Sequence, residues 1–264
     1  MTLLSCCHRM DFTLKKYSEL LSALKGYGEV TLRHDVDRRP QNSLAVARLE
    51  AALGWKSVYY FRAVPKSWDE DTIREISEFG HEIGYHYECL TTCRGDVDAA
   101  WEDFKTNLAK LRAIAPVRSI CMHGSPRSKW DSRDIWKKYD YRSLGIDYEP
   151  YLDTDWSGTF YLTDTGRRWD GYKVSVRDRI PGWQEKWQAD GLVYHSTDDI
   201  IRAAGAGTLP HRIMITTHPQ RWTDSPLEWS VELVLQNVKN IVKRIRTHAN
   251  DSRMYQSSNF FVSL

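Results

Sequence analysis

The 264-residue chain has no long apolar run. No window approaches the roughly 18 apolar residues of a membrane span, and "MTLLSCCHRM" at its start lacks the apolar stretch of a secretory signal. The expectation is a cytoplasmic protein with no membrane insertion. Cysteine is sparse and odd in number: Cys6, Cys7, Cys89, Cys93 and Cys121 include no CxxC pair, which argues against a disulfide framework or a cysteine-rich zinc site. Charge of one sign is also lacking. Lys and Arg total 37 against 35 Asp and Glu, a net charge of +2, without the basic excess of a nucleic-acid binder. Internal repeats and low-complexity tracts are absent. What remains is an ordinary globular composition, 41% apolar and 27% charged, with 11 Trp and 14 Tyr that suit a core or the face of a sugar. A single domain over residues 10–250 is expected, with 1–9 as a leader if Met10 is the start and 251–264 as a tail.

From residue 28 onward short β-type runs alternate with helical segments. "EVTLRH", "SVYYFR", "HEIGYHY", "RSICMH" and "RIMITTH" read as strands, and the alternation predicts βα units around a parallel sheet. In "PQNSLAVARLEAALGW" Val46, Leu49 and Leu53 share a face, Asn42 or Ser43 can cap the start, and Gly54 fits the C-terminus. A last helix opens with Ser225, Pro226 and Glu228 as a capping box. Its stripe of Leu227, Val231, Val234, Val238, Ile241 and Ile245 is expected to pack on the sheet. Residues 140–195 read as long loops, with a hairpin around "TFYLTDTGRRWDGYKVSV".

Ionisable residues recur where these strands end. The first run leads into His34-Asp35-Val36-Asp37, the second into Arg62, the third into His86-Tyr87-Glu88, the fourth into His123-Gly124-Ser125-Pro126 and the last into His218-Pro219-Gln220. A turn or a helix cap accounts for any one of these. It does not account for the recurrence, and in parallel α/β folds the carboxyl ends of strands converge on one rim. Carboxylate with imidazole is the mixed donor set of catalytic zinc. A carboxylate free of metal can act as a base, and a histidine opposite it can protonate a leaving group.

"LRHDVD" at 32–37, "GHEIGYH" at 80–86 and "ITTHPQRW" at 215–222 resemble, in order, motifs of the polysaccharide deacetylases of NodB homology, carbohydrate esterase family 4, in particular those of O-antigen and capsule biosynthesis. The resemblance implies an α/β fold, a distorted (β/α) barrel of about seven parallel strands. It also implies zinc or another divalent metal, and hydrolysis of an N-acyl group on an amino sugar. Position by position, it makes Asp35 the base, Asp37 a metal ligand although Val36 separates the two acids, His86 a metal ligand and His218 the general acid. The second metal histidine should stand at Leu90. The third ligand is therefore expected from His123, with Glu88 as the alternative. "TDTGRRWDG" loosely matches an Asp and Trp motif beside the acid, and makes Asp164, Arg167, Trp169 and Asp170 pocket candidates. Arg62 or Arg167 could hold an anionic group of the substrate.

The expected function is a zinc-dependent carbohydrate N-deacetylase of surface-polysaccharide biosynthesis, acting on an acylated amino sugar carried by a nucleotide or a lipid. The alternatives are a metal-free hydrolase of another C–N bond and a non-catalytic carbohydrate-binding barrel.

Overall fold

The computed structural model describes residues 10–125, 128–170 and 178–241. Six strands, β1 (Glu29–Val36), β2 (Val58–Phe61), β3 (Glu82–Tyr87), β4 (Val117–Met122), β5 (Phe160–Thr163) and β6 (Arg212–Thr217), form one sheet in the order β4-β3-β2-β1-β6-β5. Every pairing is parallel. This is the α/β architecture that the alternation predicts. The described residues supply six strands rather than about seven, and none of them joins the edge strands β4 and β5. The five runs read as strands are β1, β2, β3, β4 and β6. β5 lies in the segment read as loops: the first arm of the expected hairpin instead pairs parallel to β6, and the second arm falls on 171–177, outside the described residues. The leader, the tail, Pro126 and Ile245 lie outside them as well.

Register decides which side chains meet. Arg33 pairs with Val58, Asp35 with Tyr60, Tyr60 with Gly84, and His86 with Cys121. Period-2 alternation therefore gathers Arg33, Asp35, Tyr60, His86 and Cys121 on one face. Gly84 makes this possible, because a Cβ there would lie 2.3 Å from the Tyr60 ring. The opposite face of β1 and β2 carries His34 and Tyr59, stacked at 4.3 Å between ring centroids and covered by α2 (Pro40–Ala52).

Two expectations about helices change. α2 starts at Pro40, with Arg39 before it at φ 54° and no side-chain cap, so Asn42 and Ser43 are not its caps; Ser43 is buried. The last helix, residues 226–241, turns its polar side to the body. Glu232 and Gln236 are buried, and Asn240 Nδ2 donates to the Gly166 carbonyl at 2.9 Å. Leu227, Val231, Val234, Val238 and Ile241 are exposed instead of packed on the sheet.

Candidate metal and acid–base site

Asp35 and Asp37 stand two apart at the carboxyl end of β1, so alternation keeps both on the side of the inner face. Val36 between them is fully buried, and its carbonyl accepts the Ser67 hydroxyl. The Asp37 amide bonds to the Asp35 carbonyl at 3.1 Å, and Arg39 N–H to the Lys66 carbonyl at 3.0 Å, which ties down the turn into α2. The residue separating the acids thus aligns them.

The two carboxylates have different surroundings. Arg33, 1% exposed, holds Asp35 in a fork, with Nε 3.0 Å from Oδ1 and Nη2 2.8 Å from Oδ2. Burial alone would raise the Asp35 pKa, but the charges of Arg33 and His86 overcome it and keep the carboxyl below its ordinary value. Asp37 has no such clamp. Its Oδ1 is buried and has no hydrogen-bond partner among the described residues. Against that oxygen stand His86 Nε2 at 3.7 Å and His123 Nε2 at 3.4 Å. Burial opposes its ionisation, yet the nearby imidazoles of His123, His218 and His86 and the Arg62 guanidinium hold Asp37 well below the carboxylate range.

Both histidines aim Nε2 inward because Nδ1 is committed elsewhere. His86 Nδ1 donates to the Cys121 carbonyl at 2.9 Å, and His123 Nδ1 donates to Glu88 Oε2 at 3.0 Å. Glu88 in turn takes Arg62 Nε at 2.9 Å and Nη2 at 2.6 Å. Burial pushes the His86 pKa down to about 4, so the ring is neutral at pH 7 with a free lone pair on Nε2. One atom from each of Asp37, His86 and His123 lies within 4.8 Å of the others, a group that could hold a metal ion. Ligands about 2.0–2.2 Å from a tetrahedral cation stand roughly 3.3–3.5 Å apart, close to these separations. An orphaned carboxylate oxygen facing two lone pairs fits a cation. A second group, Asp35 with His86 and Cys121, fits less well, because burial keeps the Cys121 thiol protonated well above its ordinary pKa and Asp35 is taken up by Arg33.

On the other side, His218 Nε2 approaches Asp37 Oδ2 to 4.0 Å. Its Nδ1 lies 2.7 Å from Asp164 Oδ1, and its backbone N–H donates to Oδ2 at 3.0 Å. Asp164, at the end of β5, also accepts from Arg221 and, at 2.8 Å, from Trp222 Nε1. Burial and Arg221 work against the imidazolium, but Asp164 and Asp37 prevail and raise the His218 pKa above its ordinary value.

The residues read from sequence are therefore placed as follows. Asp35, Asp37, His86, His123 and His218 converge. Glu88 and Arg62 stand behind His123, with Arg62 spent on Glu88 and on a 3.4 Å contact to the Asp37 carbonyl, not open to an anionic substrate. Asp164 is fully buried and braces His218. Arg167 donates to the Trp229 carbonyl at 2.7 Å and lies over that ring at 4.3 Å. Trp169 is buried against Phe12 and Trp222 and donates to Thr197 Oγ1 at 2.8 Å. Asp170 is buried and paired with Arg168 and His195. Arg167 thus packs under the C-terminal helix, Trp169 in the core beside Phe12 and Trp222, and Asp170 in an ion pair. Leu90, where a histidine was sought, is in the hydrophobic core.

Sequence reasoning missed three residues. Arg33 was legible, since a basic residue two before Asp35 on a strand must share its face. Gln220, whose Nε2 lies 3.4 Å from Asp37 Oδ2, and Arg221, which braces Asp164, stand inside "HPQRW", but nothing in their spacing marks a role.

No family model and no curated protein matches the chain. Among solved structures it is similar to the peptidoglycan deacetylase PdaC of Bacillus subtilis, at 10% identity over 84% of this chain and 97% of that one, with a TM-score of 0.39. It is also similar to PdaA of Bacillus subtilis, a family 4 carbohydrate esterase, at 13% identity over 84% of each chain and a TM-score of 0.41. The Xyl-CE4 domain of a multidomain xylanase from the hindgut metagenome of Trinervitermes trinervoides matches at 9% identity, 88% and 92% coverage and a TM-score of 0.38.

Proposed function

We propose that the chain is a metal-dependent amidohydrolase that removes an N-acyl group from an amino sugar. The observation that carries the reading is the Asp37, His86 and His123 group, set between a clamped carboxylate and a carboxylate-braced imidazole. Asp37, His86 and His123 would hold a divalent cation, with zinc favoured by the mixed O and N donors. Bound there, the cation would polarise an amide carbonyl and ease deprotonation of water.

The chain's own groups supply the proton transfers. Asp35 is ionised at neutral pH and turned toward the His86 side of the group, His86 Nε2 being 3.8 Å from its Oδ2, so it can take a proton from the attacking water. Arg33 fixes that carboxylate and keeps it charged. His218, with its raised pKa, retains a proton that it gives to the departing amine as the C–N bond breaks. The products are a carboxylic acid and a free amino sugar. The resemblance to deacetylases of surface-polysaccharide loci favours an acetamido sugar on a nucleotide or lipid carrier in the cytoplasm.

The test is release of acetate from acetamido sugars by the purified chain, together with metal analysis. About one zinc per chain, lost with activity in His86→Ala, supports the reading. A chain that binds no divalent metal at all would overturn it and leave the metal-free alternatives.

A further inference from the structure

The helix at residues 226–241 is docked with its amphipathic character reversed. Its polar side is held to the body by Glu232, 1% exposed and paired with Arg38, and by the Asn240 bond to Gly166. Its apolar side faces outward: Leu227 is 74% exposed, and Val231, Val234, Val238 and Ile241 are exposed with it. A monomer seldom leaves so continuous an apolar patch uncovered.

The spacing is specific. From Leu227 the stripe advances by 4, 3, 4 and 3 residues, and in the sequence by 4 more to Ile245. That is a seam of alternating a and d positions with a 3.5-residue period, narrower than the stripe of a helix on a globular core. Val231, Val238 and, in the sequence, Ile245 occupy its a positions, and Leu227, Val234 and Ile241 its d positions.

We propose that this face pairs with the same helix of a second copy of the chain, antiparallel, to form a homodimer. Antiparallel pairing about the level of Gln236 sets Val231 against Ile241 and Val234 against Val238, so each layer is apolar. Charge favours the same orientation. Asp224 and Glu228 stand at the N-terminal end with Glu232 already spent on Arg38, and Lys239 stands toward the C-terminal end; beyond the described residues the sequence continues with Lys243, Arg244 and Arg246 and no acid as far as 246. Antiparallel helices bring unlike ends together, and parallel ones bring like ends together. The described seam, Leu227 to Ile241, runs about 20 Å. Arg38, the partner of Glu232, directly follows Asp37, so the dimer helix is tied to the segment that carries the candidate metal site.

Sedimentation velocity of the full chain tests this. The expected result is a dimer at micromolar concentration, and a monomer for the double variant Val234→Glu with Val238→Glu, whose circular dichroism stays that of the parent because both positions are exposed on the single chain. A parent that is monomeric throughout, or a variant that remains dimeric, overturns the proposal. Mild oxidation of Val231→Cys chains mixed with Ile241→Cys chains should give mainly unlike pairs, whereas mainly Val231→Cys self-pairs would overturn the orientation. A monomeric parent that floats with phosphatidylcholine–phosphatidylglycerol vesicles would overturn the dimer in favour of a membrane surface.

Discussion

A carboxylate meets each side of strand β1, Glu50 fully buried and Asp37 with its side chain 25% exposed, and the two are held in opposite ways. On the helix side, Glu50 of α2 is saturated: Oε1 accepts from Tyr17 Oη at 2.5 Å and faces His34 Nε2 at 2.8 Å, and Oε2 accepts from Ser57 Oγ at 2.5 Å and Tyr59 Oη at 2.7 Å. On the rim side, the one hydrogen-bond donor to the Asp37 carboxylate among the described residues is Gln220, 3.4 Å from Oδ2, while Oδ1 has none and only faces the His86 and His123 rings. Both acids are ionised. A carboxylate with a full set of donors is committed to the fold; one with an oxygen left unbonded is available to bind a cation. Residues one apart on a strand, His34 and Asp35, serve these two purposes because alternation sends them to opposite faces.

The largest effect should come from removing the open carboxylate. Asp37→Asn is expected to lower amide hydrolysis at least about 10³-fold and to abolish stoichiometric zinc, since the only anionic member of the group is gone. The metal-free variant should melt somewhat below the metal-free parent at neutral pH, because the imidazoles and Arg62 that depress the Asp37 pKa favour its ionised form. If Asp37→Asn still takes up stoichiometric zinc, the open carboxylate is not a ligand, and the contrast between the faces fails.

Glu50→Gln probes the other side, with the outcomes exchanged: stability falls and turnover per folded molecule stays within a few-fold. The folded pKa of Glu50 is about 2 against an ordinary value of 4.5, since His34 and the donated hydrogen bonds outweigh burial. A depressed carboxyl stabilises the fold above about pH 4.5, and that contribution is lost as the pH falls toward 2. The shift corresponds to about 3 kcal/mol. Denaturant titrations from pH 7 to pH 3 should show the parent losing more stability than the variant. Equal losses would remove Glu50 as the acid-sensitive element.

A third change separates the base from the acid. Asp164→Asn withdraws the charge that helps raise the His218 pKa, so that pKa should fall. His218 must be protonated to act as an acid, and activity is lost as pH rises through its pKa. The alkaline limb of kcat/KM should therefore move to lower pH, with a loss of roughly 10²-fold at pH 8. An unmoved limb would mean that His218 is not the acid.

Much of the rim was legible because β-strand alternation and strand-end placement are local rules. Asp35, Asp37, His86 and His123 needed only the position of each strand end. Other features depended on distant segments. Nothing in "VARLEAALG" tells that Glu50 is buried, because its donors come from α1 (Leu14–Leu24), β1 and β2. β5 was hidden by the aromatic and charged residues around it. The C-terminal helix was read correctly in period and wrongly in direction, since periodicity fixes a stripe and says nothing of which side meets the body.

The smallest effect should come from behind the metal group, where the two faces of β1 differ least. Glu88, like Glu50, is a well-partnered carboxylate, held at about 2 against its burial by His123 and Arg62. It reaches the open site through His123 Nδ1 and, less directly, through Arg62, which also contacts the Asp37 carbonyl. Glu88→Gln keeps the shape, but its amide oxygen is a weaker acceptor for that N–H, so Nε2 loses basicity and orientation. Zinc affinity should drop about 10- to 100-fold in competition with a chelator, with kcat at saturating zinc close to the parent's. A collapse of kcat at saturating metal would instead place Glu88 among the ligands, and His123 would be the residue that positions it.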